Sequence, residues 1–186
     1  PGEFGMTAVA QMLKGDVNPS GRLADTVAYK TADYPSSACF GNHEYTEDGT
    51  YIEYLEGIYV GYRYFETFAK DKVQYPFGYG LSYTSFEKEI VEKNITDTEI
   101  TVSVKVTNTG AVAGKDTVQL YYSAPYYEGG IEKSAINLVA FDKTQLLQPV
   151  KSETLTITFD IDDMASYDHK VNEAWIVEKG TYKIIL

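Results

Sequence analysis

Polar and apolar residues alternate with a period of two through much of the second half of the chain. The alternation runs through residues 100–106, 118–122 and 155–161, and it returns in the last five residues, 182–186. Successive side chains of a strand point to opposite faces, so each run predicts a half-buried strand. Turn-forming residues such as Asn108-Thr109-Gly110 separate the runs. Short alternating strands with turns between them predict a β-sandwich.

The first fifteen residues follow a helical period instead. Met6, Val9, Ala10 and Leu13 are spaced at i, i+3, i+4 and i+7, which places them on one face of a helix. Gly15 stands where the C-terminal glycine of a helix usually stands. A helix this short is marginal by itself in water, and the next few dozen residues offer no sheet to support it. We therefore expect it to be the last helix of a domain whose body lies outside this sequence.

The segment between these two patterns is rich in turns and then in aromatic rings. Residues 16–50 contain several turn-forming clusters, and tyrosine and phenylalanine crowd residues 51–68. The run Tyr75–Phe86 combines Pro76 with two glycines among five aromatic side chains, so it suits neither a regular helix nor a regular strand. We predict an ordered connection that packs its rings between two folded units, because a solvated linker would not carry them.

Composition narrows the class of function. The chain has 186 residues and a net charge of −11, which disfavours nucleic acid and anionic membranes as partners. It has no apolar run of about 20 residues, so no membrane span is predicted. With one cysteine, it can form no internal disulfide. Cys39, His43 and His169 are too few and too scattered for a zinc site, and we predict neither a metal nor a cofactor.

Several residue pairs suggest catalysis, but a structural interpretation fits each of them better. Asp162 and Asp163 follow a strand and are interpreted as solvated turn residues. Glu87 and Glu89 fall on the outer face of a strand, and the neighbours Asp168 and His169 would rarely face each other.

Two aromatic features have competing interpretations. Trp175 fits the core or the edge of the sandwich better than a platform for a sugar. Arg63 lies in the ring-rich segment 56–65, where it can stack on a ring or bind a carboxylate. We favour a plug between domains for this segment, with the rim of a substrate pocket as the alternative.

Several motifs together resemble the C-terminal part of glycoside hydrolase family 3, the β-glucosidase and β-xylosidase family. They occur in the family's order and cover nearly the whole chain. The motifs are Gly15–Leu23 with its Asn-Pro-Ser-Gly-Arg-Leu core, Glu56–Phe65, Tyr75–Phe86, Val106–Gly110, Ala113–Lys115, Val118–Tyr121, Phe141–Lys143, Ser166–Asp168 and Gly180–Tyr182.

The resemblance implies a mostly β fold, with a fibronectin type III-like sandwich preceded by the terminal helix and aromatic connector of an α/β/α sandwich domain. It divides the chain into residues 1–24, the last helix and exit loop of the α/β/α domain; residues 25–86, the connector; and residues 87–186, the fibronectin-like domain. The whole would be a retaining β-glycosidase that hydrolyses terminal β-linked sugars. Its partners would be a β-glycoside or oligosaccharide substrate and the rest of the same hydrolase, with its barrel and α/β/α domains.

The family's nucleophilic aspartate and acid/base glutamate have no counterpart in this chain, so the resemblance assigns it no catalytic residue. Gly2-Glu3-Phe4-Gly5 stands where the family has a loop near the mouth of the pocket. Glu3 and Phe4 are therefore the only candidates for contact with substrate. A non-catalytic carbohydrate-binding or interaction module of fibronectin type is the alternative function. Cytoplasmic and secreted bacterial locations both fit the composition.

One departure from the family concerns a turn. Pro149-Val150-Lys151-Ser152 replaces the family's usual Pro-Gly-Glu-Ser. A type II turn needs a positive φ at its third residue, which glycine tolerates and valine does not. The sequence therefore predicts that this turn departs from type II geometry.

Overall fold

The computed structural model describes residues 2, 4–41, 44–47, 49–52 and 54–186. The helices are α1 (Gly5–Lys14) and α2 (Tyr62–Phe68), with short 3-10 turns at Thr31–Asp33, Pro35–Ala38, Lys70–Lys72 and Ile161–Met164. The strands are β1 (Val27–Ala28), β2 (Glu44–Thr46), β3 (Gly49–Tyr51), β4 (Val73–Tyr75), β5 (Phe86–Ile95), β6 (Glu99–Asn108), β7 (Thr117–Ser123), β8 (Asn137–Lys143), β9 (Ser152–Asp160), β10 (Ser166–Asp168), β11 (Ala174–Ile176) and β12 (Lys183–Ile185).

Two antiparallel sheets form the sandwich. One has the strand order β5–β6–β9 and the other the order β12–β7–β8. In the first sheet, Val104 lies opposite Ile90 on one side and Leu155 on the other. Side chains from both sheets share a single hydrophobic core, so the predicted mostly β fold with a sandwich is confirmed.

The core consists of the alternating residues that the sequence singled out. The buried members from the three long runs are Ile100, Val102, Val104, Val106, Val118, Leu120, Tyr122, Leu155, Ile157 and Phe159. The alternation stops one position earlier than predicted, because Ile161 begins a 3-10 turn and is only partly buried. In the last run, Tyr182 and Ile184 pack against the core, whereas Leu186 is exposed.

The N-terminal helix forms as predicted. Gly15 ends α1 in the left-handed conformation, with φ of 85°, and its N–H donates to the carbonyl oxygen of Met12. The N–H of Asp16 donates to the carbonyl oxygen of Gln11, which completes a Schellman ending. No residue of α1 is buried. The apolar face that the spacing predicted is therefore formed but not covered by the described part of the chain.

A small second core holds part of the connector. Phe65 of α2 is almost fully buried against Ala28 and Ala69. The ring of Tyr34 packs edge-on against the Phe65 ring, with 5.4 Å between the two ring centroids. The Tyr34 hydroxyl donates to the carbonyl oxygen of Thr26 and accepts from the N–H of Ala28. Tyr34 therefore packs within the described part of the chain. Tyr29 and Phe40 are exposed in it, and the side chain of Tyr45 lies outside the described residues.

The turn before β9 contradicts the sequence expectation. The N–H of Lys151 donates to the carbonyl oxygen of Gln148, and Val150 has φ of 59°. The turn therefore keeps a positive φ at its third residue even though that residue is β-branched. Val150 is highly exposed, so side-chain packing does not offset the cost. That cost is about 1–2 kcal/mol for a non-glycine residue in this region.

Candidate functional site

The Asn-Pro-Ser-Gly-Arg-Leu segment docks directly on the sandwich. The side-chain amide of Asn18 donates to the carbonyl oxygen of Ala113 over 3.0 Å, across 95 residues of sequence. Its oxygen accepts from the hydroxyl of Ser82 and from the N–H of Tyr83. One amide thus ties the exit from α1 to both the aromatic connector and the loop before β7. The hydrogen bonds explain why an asparagine occupies this position.

A buried carboxylate joins the same segment to two strands. The Asp116 side chain, just before β7, forms ion pairs with Arg22 and with Lys88 of β5, the latter at 3.0 Å. It is 4% exposed, against 19% for Arg22 and 32% for Lys88. Burial raises the pKa of the Asp116 carboxyl, but the hydrogen bonds from Lys88 and Arg22 outweigh burial and hold the pKa below its usual value. The carboxylate is therefore charged at neutral pH and fixes Arg22.

Backbone contacts bring the Tyr75–Phe86 run against the same exit loop. The N–H of Leu23 donates to the carbonyl oxygen of Tyr79, and the N–H of Gly78 donates to the carbonyl oxygen of Leu23, both over 2.8 Å. Gly78 has φ of 81°, and a Cβ there would collide with the side chain of Gln119 on β7. A Cβ at Gly80 would collide with the carbonyl oxygen of Gly21. The Gly-Tyr-Gly sequence is thus required by close packing between chain segments.

The contacts of residues 18–23 and 75–86 with the sandwich form what we call the junction. A fully buried amide stabilises the end of β6 beneath it. The Asn108 amide group donates to the carbonyl oxygens of Val112 and Leu147, at 2.8 and 2.9 Å. Its oxygen accepts from the Thr84 hydroxyl and from the N–H of Gly110. Because every polar atom of the side chain has a partner, burial of the amide is tolerated and the loop has one preferred geometry.

The ring-rich helix α2 docks on the first residues of β8. The Tyr62 hydroxyl accepts from the N–H of Leu138, and the Arg63 side chain donates through Nε to the Asn137 oxygen over 3.0 Å. The Arg63 guanidinium lies 5.5 Å from the centre of the Tyr62 ring. Tyr62 also packs against Phe77 at 4.8 Å. Arg63 therefore stacks on a ring, as one sequence interpretation expected, and bonds to an amide where a carboxylate had been the expected partner.

Two concave surfaces flank the docked connector. The larger one, of about 870 Å³, lies between α1 and the Tyr75–Phe86 run. Its walls are mostly apolar and include Val9, Met12, Leu13, Pro19, Leu23, Tyr75, Tyr79, Leu81 and Tyr83. We call it the α1 groove. The Tyr83 hydroxyl donates to the carbonyl oxygen of Met12 over 2.6 Å and fixes the helix at one side of this groove.

The smaller cleft, of about 370 Å³, lies between the connector and the hairpin of β10 and β11. Arg63 and Asn137 contribute to one wall, and Tyr167 and Trp175 to another. Trp175 is 72% exposed on β11. It therefore lies outside the sandwich core, contrary to one of the places that the sequence suggested. We call this surface the Trp175 cleft.

The other residues considered for chemistry have structural roles. Asp162 and Asp163 lie in the exposed 3-10 turn after β9, as predicted, and Asp163 accepts from the N–H of Asp160. Glu87 and Glu89 are exposed on β5. Asp168 is buried, and its carboxylate accepts from the N–H groups of the following loop, while His169 is exposed.

The two predicted substrate contacts fall just before α1. Phe4 precedes the helix and is 75% exposed, whereas Glu3 lies outside the described residues. Among the residues that the structure describes, no helix is both long and apolar enough to cross a bilayer. In the same residues, His, Cys, Asp and Glu side chains do not gather into a group of three or more that could hold a metal ion.

Sequence reasoning missed Asp116, the central residue of the junction. The sequence gives little indication of its role, because a single aspartate before a strand is usually a solvated turn residue. The motifs on either side of it, Ala113–Lys115 and Val118–Tyr121, were recognised, but the partners Arg22 and Lys88 are distant in sequence. Only the topology brings the three together.

The comparisons with known proteins cover both parts of the chain. Residues 1–83 match the family described as "Glycosyl hydrolase family 3 C-terminal domain", and residues 116–186 match "Fibronectin type III-like domain". The curated relatives include "Beta-glucosidase A" of Butyrivibrio fibrisolvens, 48% identical over 202 residues, and "Beta-glucosidase" of Ruminococcus albus, 45% identical over 185 residues. These alignments include 98% and 97% of this chain, and 24% and 19% of the relatives.

Solved structures of β-glucosidases are also similar to this chain. The crystal structure of a β-glucosidase from Paenibacillus barengoltzii superposes with a TM-score of 0.86 at 46% identity, over 95% of this chain and 19% of that chain. The chain thus spans about a quarter or less of the length of the proteins it matches.

Proposed function

Because this chain belongs to glycoside hydrolase family 3, as the C-terminal part of such an enzyme, we propose that it functions within a retaining β-glycosidase of the β-glucosidase type. The complete enzyme would hydrolyse terminal β-linked sugars. In it, the sandwich and the docked connector would brace the domains that carry the catalytic carboxylates. The names of the relatives support this proposal, because the alignments with β-glucosidases extend over almost the entire chain.

The α1 groove is the structural observation that carries the bracing role. It exposes a mostly apolar surface beside a helix that has no buried residue. A contiguous exposed apolar surface beside an uncovered helix face is typical of a contact with another folded unit. The rest of the α/β/α domain of the same hydrolase is the partner that we propose for it.

The boundaries 1–24, 25–86 and 87–186 are part of this proposal. The start of β5 at Phe86 and the separate matches of residues 1–83 and 116–186 support a division near residue 86. The dense hydrogen bonding of the junction supports a connector that is held against the sandwich and moves with it.

Activity assays on two preparations test the catalytic part of the proposal. The purified 186-residue chain should release no nitrophenol from an aryl β-glucoside, because we place both catalytic carboxylates outside it. Turnover by the homogeneous chain would contradict that placement. The complete hydrolase should turn over the same substrate, and inactivity on every β-glycoside offered would contradict the glycosidase function itself.

Glu3 and Phe4 are proposed to lie at the rim of the substrate pocket. The support is the position of Phe4 immediately before α1 and its exposed ring. A lost ring contact of about 1 kcal/mol would raise the KM of the complete hydrolase for an aryl β-glucoside about fivefold, with little change in kcat. Phe4→Ala tests this, with Phe40→Ala as the control because Phe40 is also a highly exposed ring, in a different part of the chain. Equal KM values for the two variants would remove Phe4 from the rim.

A further inference from the structure

The hairpin of β10 and β11 displays two aromatic rings away from the sandwich core. Tyr167 and Trp175 lie directly opposite each other in the hairpin register. Their ring centroids are 5.5 Å apart, with an angle of 61° between the planes. Both side chains are exposed, Trp175 the more strongly. The pair therefore leaves much of the indole surface open to solvent, at the edge of the Trp175 cleft.

The walls of the cleft combine these rings with polar groups. Asn137 and Ser166 line it, together with Arg63 and Glu132. A volume of about 370 Å³ falls within the range of small-molecule sites, about 300–1,000 Å³, which typically pair aromatic walls with a few fixed polar groups. The cleft has both ingredients.

Several of the polar groups keep hydrogen-bonding capacity. Arg63 uses Nε to donate to the Asn137 oxygen, which also accepts from the Ser134 hydroxyl. Within the described part of the chain, the Arg63 terminal nitrogens, the Asn137 nitrogen, the Ser166 hydroxyl and the Trp175 Nε1 have no hydrogen-bond partner. Arg63 and Asn137 are held by their mutual hydrogen bond, and Ser166 and Trp175 lie on the paired strands β10 and β11, so these groups are positioned before any ligand arrives.

The charges around the cleft favour an uncharged ligand. The ammonium group of Lys133 is already occupied by Glu178 and by the carbonyl oxygen of Pro125. Glu132 and Asp163 offset the positive charge of Arg63. The chain as a whole carries a net charge of −11, which repels phosphates and acidic polysaccharides.

We propose that the Trp175 cleft is a binding site for a neutral carbohydrate. One sugar ring would stack its apolar C–H face on the indole of Trp175, and its hydroxyls would bond to Arg63, Asn137 and Ser166. An aromatic face beside donors and acceptors matches a ligand that is apolar on its ring face and polar at its rim. The site involves no reaction, so the proposal goes beyond hydrolysis.

Trp175 is the single tryptophan of the chain, so its fluorescence reports on this cleft alone. Titration of the 186-residue chain with cellotriose, and separately with laminaritriose, should give a saturable change in tryptophan emission. We expect a Kd of about 1 mM or tighter, which corresponds to roughly −4 kcal/mol. In the complete hydrolase, inactivated at its catalytic carboxylates, calorimetry should detect a component of trisaccharide binding that Trp175→Ala weakens.

Variants locate the binding by calorimetry, which does not depend on the fluorophore. Trp175→Ala should weaken trisaccharide binding at least tenfold, and Trp175→Phe, which keeps a ring, should weaken it less. Phe141→Ala is the matched control, because Phe141 is an exposed ring on β8 that does not line the cleft. Circular dichroism establishes that each variant is folded, and Trp175→Phe carries the test if the alanine variant does not fold.

Three results would overturn the proposal. One is an unchanged emission spectrum of the folded chain with both trisaccharides at millimolar concentration. Another is equal affinity of the wild-type chain and the Trp175 variants. The third is Trp175-dependent binding in the isolated chain that is lost in the complete hydrolase, which would mean that another domain covers the cleft. The titrations measure binding to a chain that we expect to catalyse no hydrolysis, so their failure and the failure of the proposed hydrolysis are distinguishable.

Discussion

The sandwich and the segment before it bury apolar side chains to very different extents. The sandwich encloses a core of twelve buried residues, ten of them on strands of the two sheets, and four of its valines are fully buried. The described part of residues 1–86 has a cluster of only three, Ala28, Phe65 and Ala69, although it contains many more aromatic rings. Ring content therefore does not decide burial. Whether the surrounding elements close around the side chains decides it.

The difference shows that the two regions owe their structure to different sources. Burial of apolar surface contributes about 25 cal/mol per Å², so the sandwich core can support the sandwich by itself. The N-terminal region depends on polar docking to the sandwich, through Asn18, Arg22 and Arg63, and its apolar face at the α1 groove is left open. We expect it to be the less stable of the two when the chain is studied alone.

The largest effect should come from opening a cavity in the sandwich core. Leu120→Ala removes a fully buried side chain and should lower the free energy of unfolding by about 2–5 kcal/mol. Leu81→Ala is the matched control, because Leu81 is exposed in the α1 groove and should cost about 0.5 kcal/mol or less in the isolated chain. Urea unfolding followed by circular dichroism measures both. Similar losses for the two variants would contradict the contrast between the regions.

A smaller effect is expected at the junction. Asp116→Asn removes the charge that holds Arg22 and Lys88 and should cost about 1.5–3 kcal/mol. The loss should loosen the exit loop more than the sandwich, so limited proteolysis should cut near residues 16–30 faster. Asp97→Asn, in the exposed turn between β5 and β6, is the control. If both variants resist proteolysis equally, Asp116 does not anchor the connector.

The same carboxylate should shape the response to acid. The pKa of Asp116 lies below its unfolded value of 3.8 because its ion pairs outweigh burial. The ion pairs therefore add stability above pH 3.8, and that stability is lost as the pH falls through 3.8 and on through the folded pKa. Asp168 behaves in the same way. Burial raises the pKa of its carboxyl, but the hydrogen bonds from Asn172 and the loop N–H groups outweigh burial, so the pKa lies below its usual value.

Acid titration of unfolding separates these two contributions. Between pH 5 and 2, Asp116→Asn should unfold with a shallower dependence on pH than the wild-type chain, by less than one proton. An unchanged slope in Asp116→Asn would mean that this carboxyl binds protons equally in the folded and unfolded chain.

The smallest effect should be a gain. Val150→Gly relieves a positive φ in an exposed turn and should raise the free energy of unfolding by about 0.5–1 kcal/mol, after the greater flexibility of glycine in the unfolded chain is deducted. Val171→Gly is the control, since Val171 is equally exposed and does not have a positive φ. That variant should be neutral or less stable. Thermal unfolding of both settles the sign.

The sequence predicted the regular parts of the molecule well. Strand alternation identified Val102, Val104 and Leu120 as core residues, because a period of two assigns each side chain to one face of its strand. The helical period and Gly15 located α1. These are local signals. The family motifs marked the junction, but not its chemistry.

What the sequence did not predict depends on contacts between distant segments. Asp116 pairs with residues 94 and 28 positions away, and the exposure of Trp175 depends on a two-stranded hairpin that stands apart from the main sheets. The turn at Val150 was mispredicted because backbone hydrogen bonds from Val150 to Asn108 and from Asn108 to Lys151 hold it against the end of β6, in spite of the preference of valine for negative φ. In each case the local sequence pattern was recognised, but the residues that determine the structure are distant in sequence.

Hydrogen exchange of the native 186-residue chain, read by mass spectrometry, tests the contrast between the two regions most directly. The amides of β6, β7 and β9 should exchange only through global unfolding, whereas those of α1 should exchange orders of magnitude faster, because no residue of that helix is buried. Equal protection of α1 and the central strands would contradict the account, since the N-terminal region would then be as stable as the sandwich without the rest of the hydrolase.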